Sequence, residues 1–303
     1  MPVKPGIKRV VVVTGAGAGL GRAYALDLAA RGMRVIVNNR RREIDSAGLG
    51  SAERVVREIL AAGGDAVADE SDVSDPGSGQ TMIARARATW GRLDAVVANA
   101  GVDQHKAFHK ISVAECRAII DINFFGSLYL VHAAYAHMRA QGHGRIVVST
   151  SSAGLHGLHG LSAYSAAKAA LIGLMRSVAA EGQARDVLCN AVAPYAATRM
   201  TEAHGDAAFA TRMRPEHVAP LIALLVSEQC KVNGQTIVTG GGGLRAATVV
   251  EAREMHFANT SSEVLQATLL KPFATGDAAA FPDGLAAFAD FMSSLEQANH
   301  ANR

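Results

Sequence analysis

The chain has 303 residues, 49% of them hydrophobic, and a formal net charge of +3. This composition excludes a disordered protein, and the single dense basic run, 40–42, is too short to indicate a nucleic-acid binder. Cys116, Cys189 and Cys230 are widely spaced, which is typical of buried thiols in a reducing compartment and not of disulfides or a metal site. Because the sequence shows neither a secretory signal nor an apolar run of bilayer length, we expect a cytoplasmic protein with no membrane partner.

Strand-like and helix-like segments alternate along most of the chain. Apolar, β-branched runs predict the strands, and Ala-rich or amphipathic runs predict the helices between them. The predicted strands are 10–14, 34–38, a short strand within 65–72, 93–99, 144–150, 187–192 and 235–239. The predicted helices are 22–30, 52–62, 79–90, one long helix or two over 113–138, 162–180 and 215–227. This order predicts an α/β fold with a Rossmann-like, doubly wound parallel sheet in three α/β/α layers.

The last part of the chain departs from this alternation. Residues 246–303 are rich in Ala and Phe, and 285–297 predicts a final amphipathic helix. We therefore expect one domain over residues 1–245 and, over 246–303, a helical appendage that packs on that domain or on a partner subunit.

A glycine-rich turn joins the first predicted strand to the first predicted helix. Gly15, Gly19 and Gly21 form the pattern T-G-x-x-x-G-x-G with Thr14 at its front, whereas the strict G-x-G-x-x-G pattern is absent. A helix N-terminus offers unpaired N–H groups and a positive dipole that suit a phosphate, and glycine lets the backbone approach it closely. The turn therefore indicates a nucleotide site, although glycine clusters also occur in ordinary turns.

Tyr164 and Lys168 form a Y-x-x-x-K pair on a predicted helix. Residues four apart share one helix face, and an ammonium beside a phenol favours the phenolate and lowers its pKa. A tyrosine tuned in this way can exchange a proton with a hydroxyl or a carbonyl. Alone, the pattern is equally compatible with a chance pair on a half-buried helix.

A hydroxyl follows the predicted strand 144–150, thirteen residues before Tyr164. Ser151 is placed to hold a substrate oxygen against the tyrosine, because ligands of such sheets bind beyond the carboxyl ends of the strands. Ser149, Thr150 and Ser152 are alternatives for the same role, or simply end the strand.

Two amide groups complete the pattern. Asn99, Ala100 and Gly101 follow another predicted strand, where they form a turn that also walls the nucleotide site. Asn123 is a polar residue within an apolar predicted helix, and it is either a satisfied buried amide or part of the site.

Taken in order and spacing, these residues resemble the short-chain dehydrogenase/reductase family over about residues 7–245. The segments GAGAGLGRAYALDLAARG, FHKIS, SSAGLHG and PYAATRMTE are similar to one branch in particular. That branch includes the (3R)-hydroxyacyl-CoA dehydrogenase domain of peroxisomal multifunctional enzymes, also called 17β-hydroxysteroid dehydrogenase type 4, and bacterial hydroxysteroid dehydrogenase relatives.

The resemblance implies a catalytic set of four residues. Tyr164 would be the general acid/base, and Lys168 would lower its pKa and hold the nicotinamide ribose. Ser151 would orient the substrate carbonyl or alcohol, and Asn123 would hold a water that connects Lys168 to solvent.

The resemblance also implies a set of cofactor-binding residues. They are Thr14, Gly15, Gly19, Leu20 and Gly21 around the pyrophosphate, Asn39 and Arg40 at the adenosine ribose, Asp72 and Val73 beside the adenine, and Asn99, Ala100, Gly101, Tyr164, Lys168, Pro194 and Thr198 along the cleft to the nicotinamide. For Asp72, a plain strand-ending turn remains an alternative.

The end of the second predicted strand bears on the choice between NAD and NADP. Relatives in this branch often have Asn-Asp there, but this chain has Asn38 and Asn39 followed by Arg40. A neutral Asn39 does not repel a 2′-phosphate, and Arg40 can pair with it. We therefore expect NADP, with NAD as the alternative if residues 40–42 form only a solvated loop.

The expected function is an NAD(P)-dependent interconversion of a secondary alcohol and a ketone. The apolar segments 153–163 and those after Arg199 favour a bulky hydrophobic substrate, either 3-hydroxyacyl-CoA-like or hydroxysteroid-like. Tyr195 stands where the family usually has glycine, so we expect it near the nicotinamide. His156 and His159 are either pocket residues or simply polar loop residues. Members of the family imply a homodimer or homotetramer, and a catalytically silent nucleotide-binding scaffold or sensor is the alternative function.

Overall fold

The computed structural model describes residues 8–41, 44–201, 206–252, 261–269 and 278–301. The chain divides into two units, Met1–Ala246 and Ala247–Arg303. The first unit contains the sheet. Its strands are β1 (Val10–Thr14), β2 (Arg34–Asn38), β3 (Asp65–Asp69), β4 (Ala95–Ala98), β5 (Gly144–Ser149), β6 (Val187–Pro194), β7 (Thr236–Gly240) and β8 (Gly243–Ala247).

The strand order is β3-β2-β1-β4-β5-β6-β7-β8. Strands β1 to β7 pair in parallel, and β8 follows β7 after only two residues, which makes the sheet mixed and mostly parallel. The order reverses at β1, so a crevice opens beside its carboxyl end, between the segments that follow β1 and β4. The predicted Rossmann-like fold in three layers is thus confirmed.

The apolar strands are buried on both faces, because helices cover each side of the sheet. In β1, Val11 and Val13 enter one core layer and Val10 and Val12 enter the other. Successive side chains of a strand point to opposite faces, so a continuous β-branched run satisfies both layers at once.

The helices of the first unit alternate with these strands. They are α1 (Gly19–Ala30), α2 (Ser51–Ala61), α3 (Ser78–Trp90), α4 (Val113–Ile120), α5 (Gly126–Gln141), α6 (Ser152–His156), α7 (Ser162–Gly182), α8 (Ala207–Arg212) and α9 (Ala219–Leu225). Helices α1, α2 and α9 supply one core layer, and α3, α5 and α7 supply the other. The short elements α6, α8 and β8 were not predicted, because each lacks a run long enough to show a period.

Helices α4 and α5 are continuous through a π-helical turn, Asp121–Phe125. Among the described residues this helix, Val113–Gln141, is the one that is long and apolar enough to cross a membrane by length and composition. The expectation that no apolar run has this length was therefore wrong. The core helix of a soluble protein passes the same test, and 44% of the apolar window is buried.

The second unit contains α10 (Ser262–Leu269), α11 (Gly284–Ala301) and an antiparallel bridge between Glu251 and Ala279. Helix α11 includes the predicted helix 285–297. Its Leu285, Phe288 and Phe291 recur at a spacing of three and are exposed within the described residues.

Candidate active site

The carboxyl ends of β2, β1, β4, β5 and β6 line a cleft of about 410 Å³. Parallel strands end at one edge of the sheet, so residues far apart in sequence meet there. The cleft is lined by Gly15, Ala18, Gly19, Leu20, Gly21, Asn38, Asn39, Arg40, Ser51, Val73, Asn99, Ala100, Gly101, Val102, Ile122, Ser149, Thr150, Tyr164, Lys168, Pro194, Thr198, Arg199 and Met200.

The glycine-rich turn lies at the centre of this cleft, before the N-terminus of α1. Gly15 and Gly19 have φ of +63° and +52°, a left-handed conformation that favours glycine. A Cβ on Gly15 would lie 2.8 Å from the Ala100 Cα, and one on Gly21 would collide with the Gly15 carbonyl. These two glycines are therefore needed for the close packing of the backbone itself, whereas a Cβ on Gly19 would lie 3.4 Å from the Thr198 methyl group.

Thr14 joins the ends of β1 and β4. Its hydroxyl accepts hydrogen bonds from the backbone N–H groups of Asn99, at 3.0 Å, and Ala100, at 3.1 Å. The Asn99 side chain donates to the Thr14 carbonyl at 3.1 Å and accepts from the Ser149 hydroxyl at 3.2 Å. Thr14 is buried and does not line the cleft, so its hydroxyl shapes the cleft wall from behind.

The end of β2 carries a network of polar side chains. Asn39 donates to the Ser51 hydroxyl at 2.5 Å, and Arg40 forms an ion pair with Asp72 at 2.9 Å. Asp72 also accepts from the backbone and side chain of Ser74. Burial raises the pKa of Asp72, but the hydrogen bonds from Ser74 and Arg40 outweigh it and leave the pKa lowered. Asp72 therefore holds Arg40 beside the cleft instead of lining the cleft itself.

Tyr164 and Ser151 meet at the other end of the cleft. Ser151 caps α6 by accepting a hydrogen bond from the Ala153 N–H at 3.1 Å. Burial raises the pKa of Tyr164, a hydrogen bond with Ser151 opposes this, and the charge of Asp103 adds to the increase. The predicted lowering of the pKa by Lys168 is not seen in the protein alone.

Lys168 lies one helical turn after Tyr164, with its Nζ 5.5 Å from the centre of the phenol ring. The side chain is almost fully buried, and Nζ donates to the Ser149 carbonyl at 2.8 Å. Burial lowers the pKa of Lys168 to about 8. The lysine thus remains mostly cationic at neutral pH but is poised close to its titration range.

Asn123 lies in the π-helical turn, which explains how a buried amide is accommodated in an apolar helix. Its Nδ2 donates to the carbonyls of Ile119 and Val102, both at 2.8 Å. A π turn widens the helix and releases backbone carbonyls, and the side chain binds one of them. Its Oδ1 is buried without a hydrogen-bond partner among the described residues.

The Asn123 Oδ1 and the Lys168 Nζ converge on Gly101. A Cβ on Gly101 would lie 2.6 Å from this Oδ1 and 3.4 Å from this Nζ. The structure therefore brings Tyr164, Lys168, Ser151 and Asn123 to one end of the cleft, although Ser151 and Asn123 do not line it.

Three candidates from the sequence lie elsewhere. Tyr195 lines a separate cavity of about 560 Å³ with Phe209 and Met213, because its backbone pairs with Thr239 and directs it toward β7. His156 and His159 are exposed and do not line the cleft. None of the three lines this cleft, and the exposure of the two histidines agrees with the alternative that they are polar loop residues.

Other residues of the cleft were missed. Ser51, at the start of α2, binds Asn39, and Arg199 and Met200 line the cleft after β6. Asp103, in the segment after β4, does not line the cleft, but its charge acts on Tyr164. No local sequence motif indicates these residues, because their roles depend on contacts with residues that are distant in sequence.

The model of the short chain dehydrogenase family matches residues 9–208. The chain belongs to this family. It is an oxidoreductase that acts on CH–OH groups of small-molecule substrates, and membership implies NAD or NADP as the cofactor.

Two curated relatives illustrate the similarity. A short-chain type dehydrogenase/reductase of Mycobacterium tuberculosis is 42% identical over 241 residues, which cover 78% of this chain and 84% of that protein. Mouse peroxisomal multifunctional enzyme type 2 is 42% identical over 236 residues, or 77% of this chain. This match spans only 32% of the mouse enzyme.

Solved structures agree with this assignment. A short chain dehydrogenase from Mycobacterium avium aligns with a TM-score of 0.77 and 35% identity, over 88% of this chain and 98% of that one. Full-length peroxisomal multifunctional enzyme type 2 from Drosophila melanogaster aligns with a TM-score of 0.80 and 31% identity. That alignment covers 95% of this chain and 49% of the Drosophila chain.

The residues present fit a nicotinamide dinucleotide. The helix N-terminus after the glycine turn suits a pyrophosphate, Asn39 and Arg40 lie at one end of the cleft, and Tyr164 and Lys168 lie at the other. The unpartnered Oδ1 of Asn123 fits the expected water beside Lys168.

Proposed function

We propose that this protein interconverts a secondary alcohol and a ketone on a bulky hydrophobic substrate, with Tyr164 as the general acid/base. The observation that carries the proposal is the convergence of Tyr164, Ser151, Lys168 and Asn123 at one end of the cleft. The nicotinamide cofactor supplies or accepts the hydride when it is bound. The chain's own residues bind the substrate oxygen and move the proton.

The geometry supports a distinct role for each residue. Ser151 shares a hydrogen bond with Tyr164 and can hold the substrate oxygen beside the phenol. Lys168 is fixed by the Ser149 carbonyl, so its ammonium is held near the phenol ring and within reach of a ribose hydroxyl. Asn123 offers its Oδ1 to a water on the Lys168 side, which gives the proton a path to solvent.

The protonation state of Tyr164 suits a proton donor. Its pKa is raised, chiefly by burial, so the phenol carries its proton at neutral pH. A protonated tyrosine can donate to the oxygen of a ketone as the hydride arrives. In the reverse direction the same group must accept the proton of the alcohol, so Tyr164 serves both directions of the reaction.

We propose NADP as the cofactor. Asn39 lines the cleft without the carboxylate that would repel a 2′-phosphate. Arg40 uses its Nη1 to bind Asp72, and a guanidinium has further donors for a phosphate. Asp72 offsets part of the charge of Arg40, so we expect a preference for NADP and not an exclusion of NAD.

The substrate class is proposed from two observations. The cleft wall near the tyrosine includes the apolar side chains of Val102, Ile122 and Met200. A further relative, the 3-oxoacyl-[acyl-carrier-protein] reductase of Synechocystis, is 37% identical over 243 residues. We favour a 3-hydroxyacyl-CoA-like or hydroxysteroid-like substrate, and a homodimer or homotetramer as the assembly.

Titration of the purified protein with NADPH and with NADH, followed by fluorescence, tests the cofactor assignment without knowledge of the substrate. We expect NADPH to bind more tightly than NADH. Tighter NADH would show that Arg40 does not read the 2′ position. Tight binding with no turnover on any ketone or alcohol would favour a silent nucleotide-binding scaffold or sensor instead.

A further inference from the structure

The segment that leaves β4 carries a carboxylate that the proposed mechanism does not use. Asp103 follows Gly101 and Val102, which line the cleft. It is half-buried, and no hydrogen bond or ion pair joins it to another residue that the structure describes.

The segment is fixed on both sides of Asp103. Before it, the Val102 carbonyl accepts a hydrogen bond from Asn123 at 2.8 Å. After it, Gln104 donates to Glu115 at 2.8 Å, and the Lys106 N–H donates to the Gly160 carbonyl at 2.8 Å. The position of Asp103 is therefore determined by its neighbours and not by a partner of its own.

These anchors hold the segment that carries Asp103 beside the start of α7. Gly160 belongs to the segment between α6 and α7, four residues before Tyr164. Asp103 itself does not line the cleft, but it lies close enough for its charge to act on Tyr164. Among the described residues, the Ser151 hydroxyl and the Lys168 ammonium also lie near Tyr164, and the His105 ring lies beside Gly160.

We propose that Asp103 is a specificity-determining residue, whose carboxylate rejects substrates with a negative charge near the reacting carbon and favours neutral or cationic ones. The inference rests on the proposed function. It narrows the substrate to an ester, thioester, steroid-like or amine-bearing alcohol or ketone, and excludes free hydroxy acids and keto acids. Any anionic group of an acyl-CoA-like substrate must then lie far from the reacting carbon.

A matched pair of compounds tests the proposal. Ethyl 3-hydroxyhexanoate and 3-hydroxyhexanoate share the reacting alcohol and differ in the charge two carbons away. Wild type, Asp103→Asn and Asp103→Glu are compared by kcat/KM with NADP⁺, and by the Kd of each compound for the NADP⁺ complex in calorimetry. Asparagine has nearly the same shape without the charge, and glutamate keeps the charge.

We expect wild type and Asp103→Glu to prefer the ester. In Asp103→Asn the preference for the ester over the carboxylate should fall by about five- to tenfold, as expected for one charge at short range near a protein surface. An unchanged ratio in Asp103→Asn would overturn the proposal. If no variant turns over either compound, the Kd ratio still decides the role of Asp103, and the proposed function is decided separately by turnover on other ketones and alcohols.

The titration midpoint of Tyr164 gives a second test of the charge of Asp103. A purely structural role of Asp103 would not change this midpoint. Tyrosinate absorbance is measured against pH in each protein and in the same protein with the added substitution Tyr164→Phe. The difference between the two titration curves reports Tyr164 alone. The titration midpoint of Tyr164 should be lower in Asp103→Asn than in wild type, because a carboxylate disfavours the phenolate. Equal midpoints would contradict the proposed proximity.

Discussion

The two edges of the sheet use polar residues in different ways. At the amino edge, Arg9 donates to the His143 Nε2 at 2.9 Å, and the His143 Nδ1 bonds Asp186 at 2.7 Å. Arg145 reaches the Asp186 carboxylate at 3.1 Å and its carbonyl at 2.8 Å. This cluster ties together the starts of β1, β5 and β6.

At the carboxyl edge, by contrast, key polar atoms remain available. The Asn123 Oδ1 and the Asp103 carboxylate have no hydrogen-bond partner among the described residues. Some polar atoms of the amino edge are unpaired as well, since the Nε atoms of Arg9 and Arg145 have no hydrogen-bond partner among the described residues. Even so, each charged side chain of this cluster has a partner through its other atoms. We infer that the polar groups of the amino edge serve stability, whereas those of the carboxyl edge serve ligand binding.

Replacement of Tyr164 by Phe should give the largest effect. It removes the proton donor at the carboxyl edge and leaves the ring in place, so kcat should fall by about 10³-fold while the Kd for NADPH changes little. Steady-state kinetics and the fluorescence titration measure both. Tyr195→Phe, in the separate cavity, is the matched control, and near wild-type turnover of Tyr164→Phe would contradict the assigned role.

Replacement of Arg145 by Ala should weaken the fold but not the site. Arg145 is buried and donates to the carbonyls of Gly144 and Asp186 as well as to the Asp186 carboxylate. Its loss removes a donor from both carbonyls and leaves the Asp186 carboxylate with His143 alone, at a cost of about 3 kcal/mol in the free energy of unfolding. Urea denaturation measures this, with the exposed Arg176→Ala as control, and a weakened NADPH affinity in the folded variant would break the separation of the two edges.

Replacement of Asn39 by Asp should shift the cofactor preference. A carboxylate at this position repels a 2′-phosphate and can bind the ribose hydroxyls, so the ratio of the two Kd values should move toward NADH by about tenfold. Ser51→Ala removes the same hydrogen bond without adding a charge and should leave the ratio unchanged. If both variants behave alike, the end of β2 does not read the 2′ position.

The smallest effect concerns pH. Burial lowers the pKa of His143, and the nearby Arg9 and Arg145 add to this against the opposing pull of Asp186. The unfolded chain then binds the proton more readily, so stability should fall slightly as the pH decreases through the ordinary histidine value of 6.5. Urea midpoints at pH 7.5 and 5.5 should differ less in His143→Gln. Burial also lowers the pKa of His137, so some dependence of stability on pH remains in the variant. If the urea midpoint changes equally with pH in both proteins, His143 does not contribute.

Much of the fold follows from local patterns in the sequence. The run 10–14 is β-branched throughout, and its burial in two layers follows from the alternation of side chains along a strand. The Y-x-x-x-K spacing likewise places Tyr164 and Lys168 on one face of α7. Helix boundaries were harder to predict. The predicted helix 215–227, for example, begins with a 3₁₀ turn, Pro215–His217, and only then continues as α9.

The sequence by itself determined the layers of the sheet, the glycine turn and the placement of Tyr164 and Lys168 on one helix face, because each depends on residues only a few positions apart. The tertiary structure alone decided that Asp72 holds Arg40, that Tyr195 faces another cavity and that Asp103 acts on Tyr164. Those pairings join different strands through loops, and the path of a loop is set by packing and hydrogen bonds across the whole fold, not by its own residues.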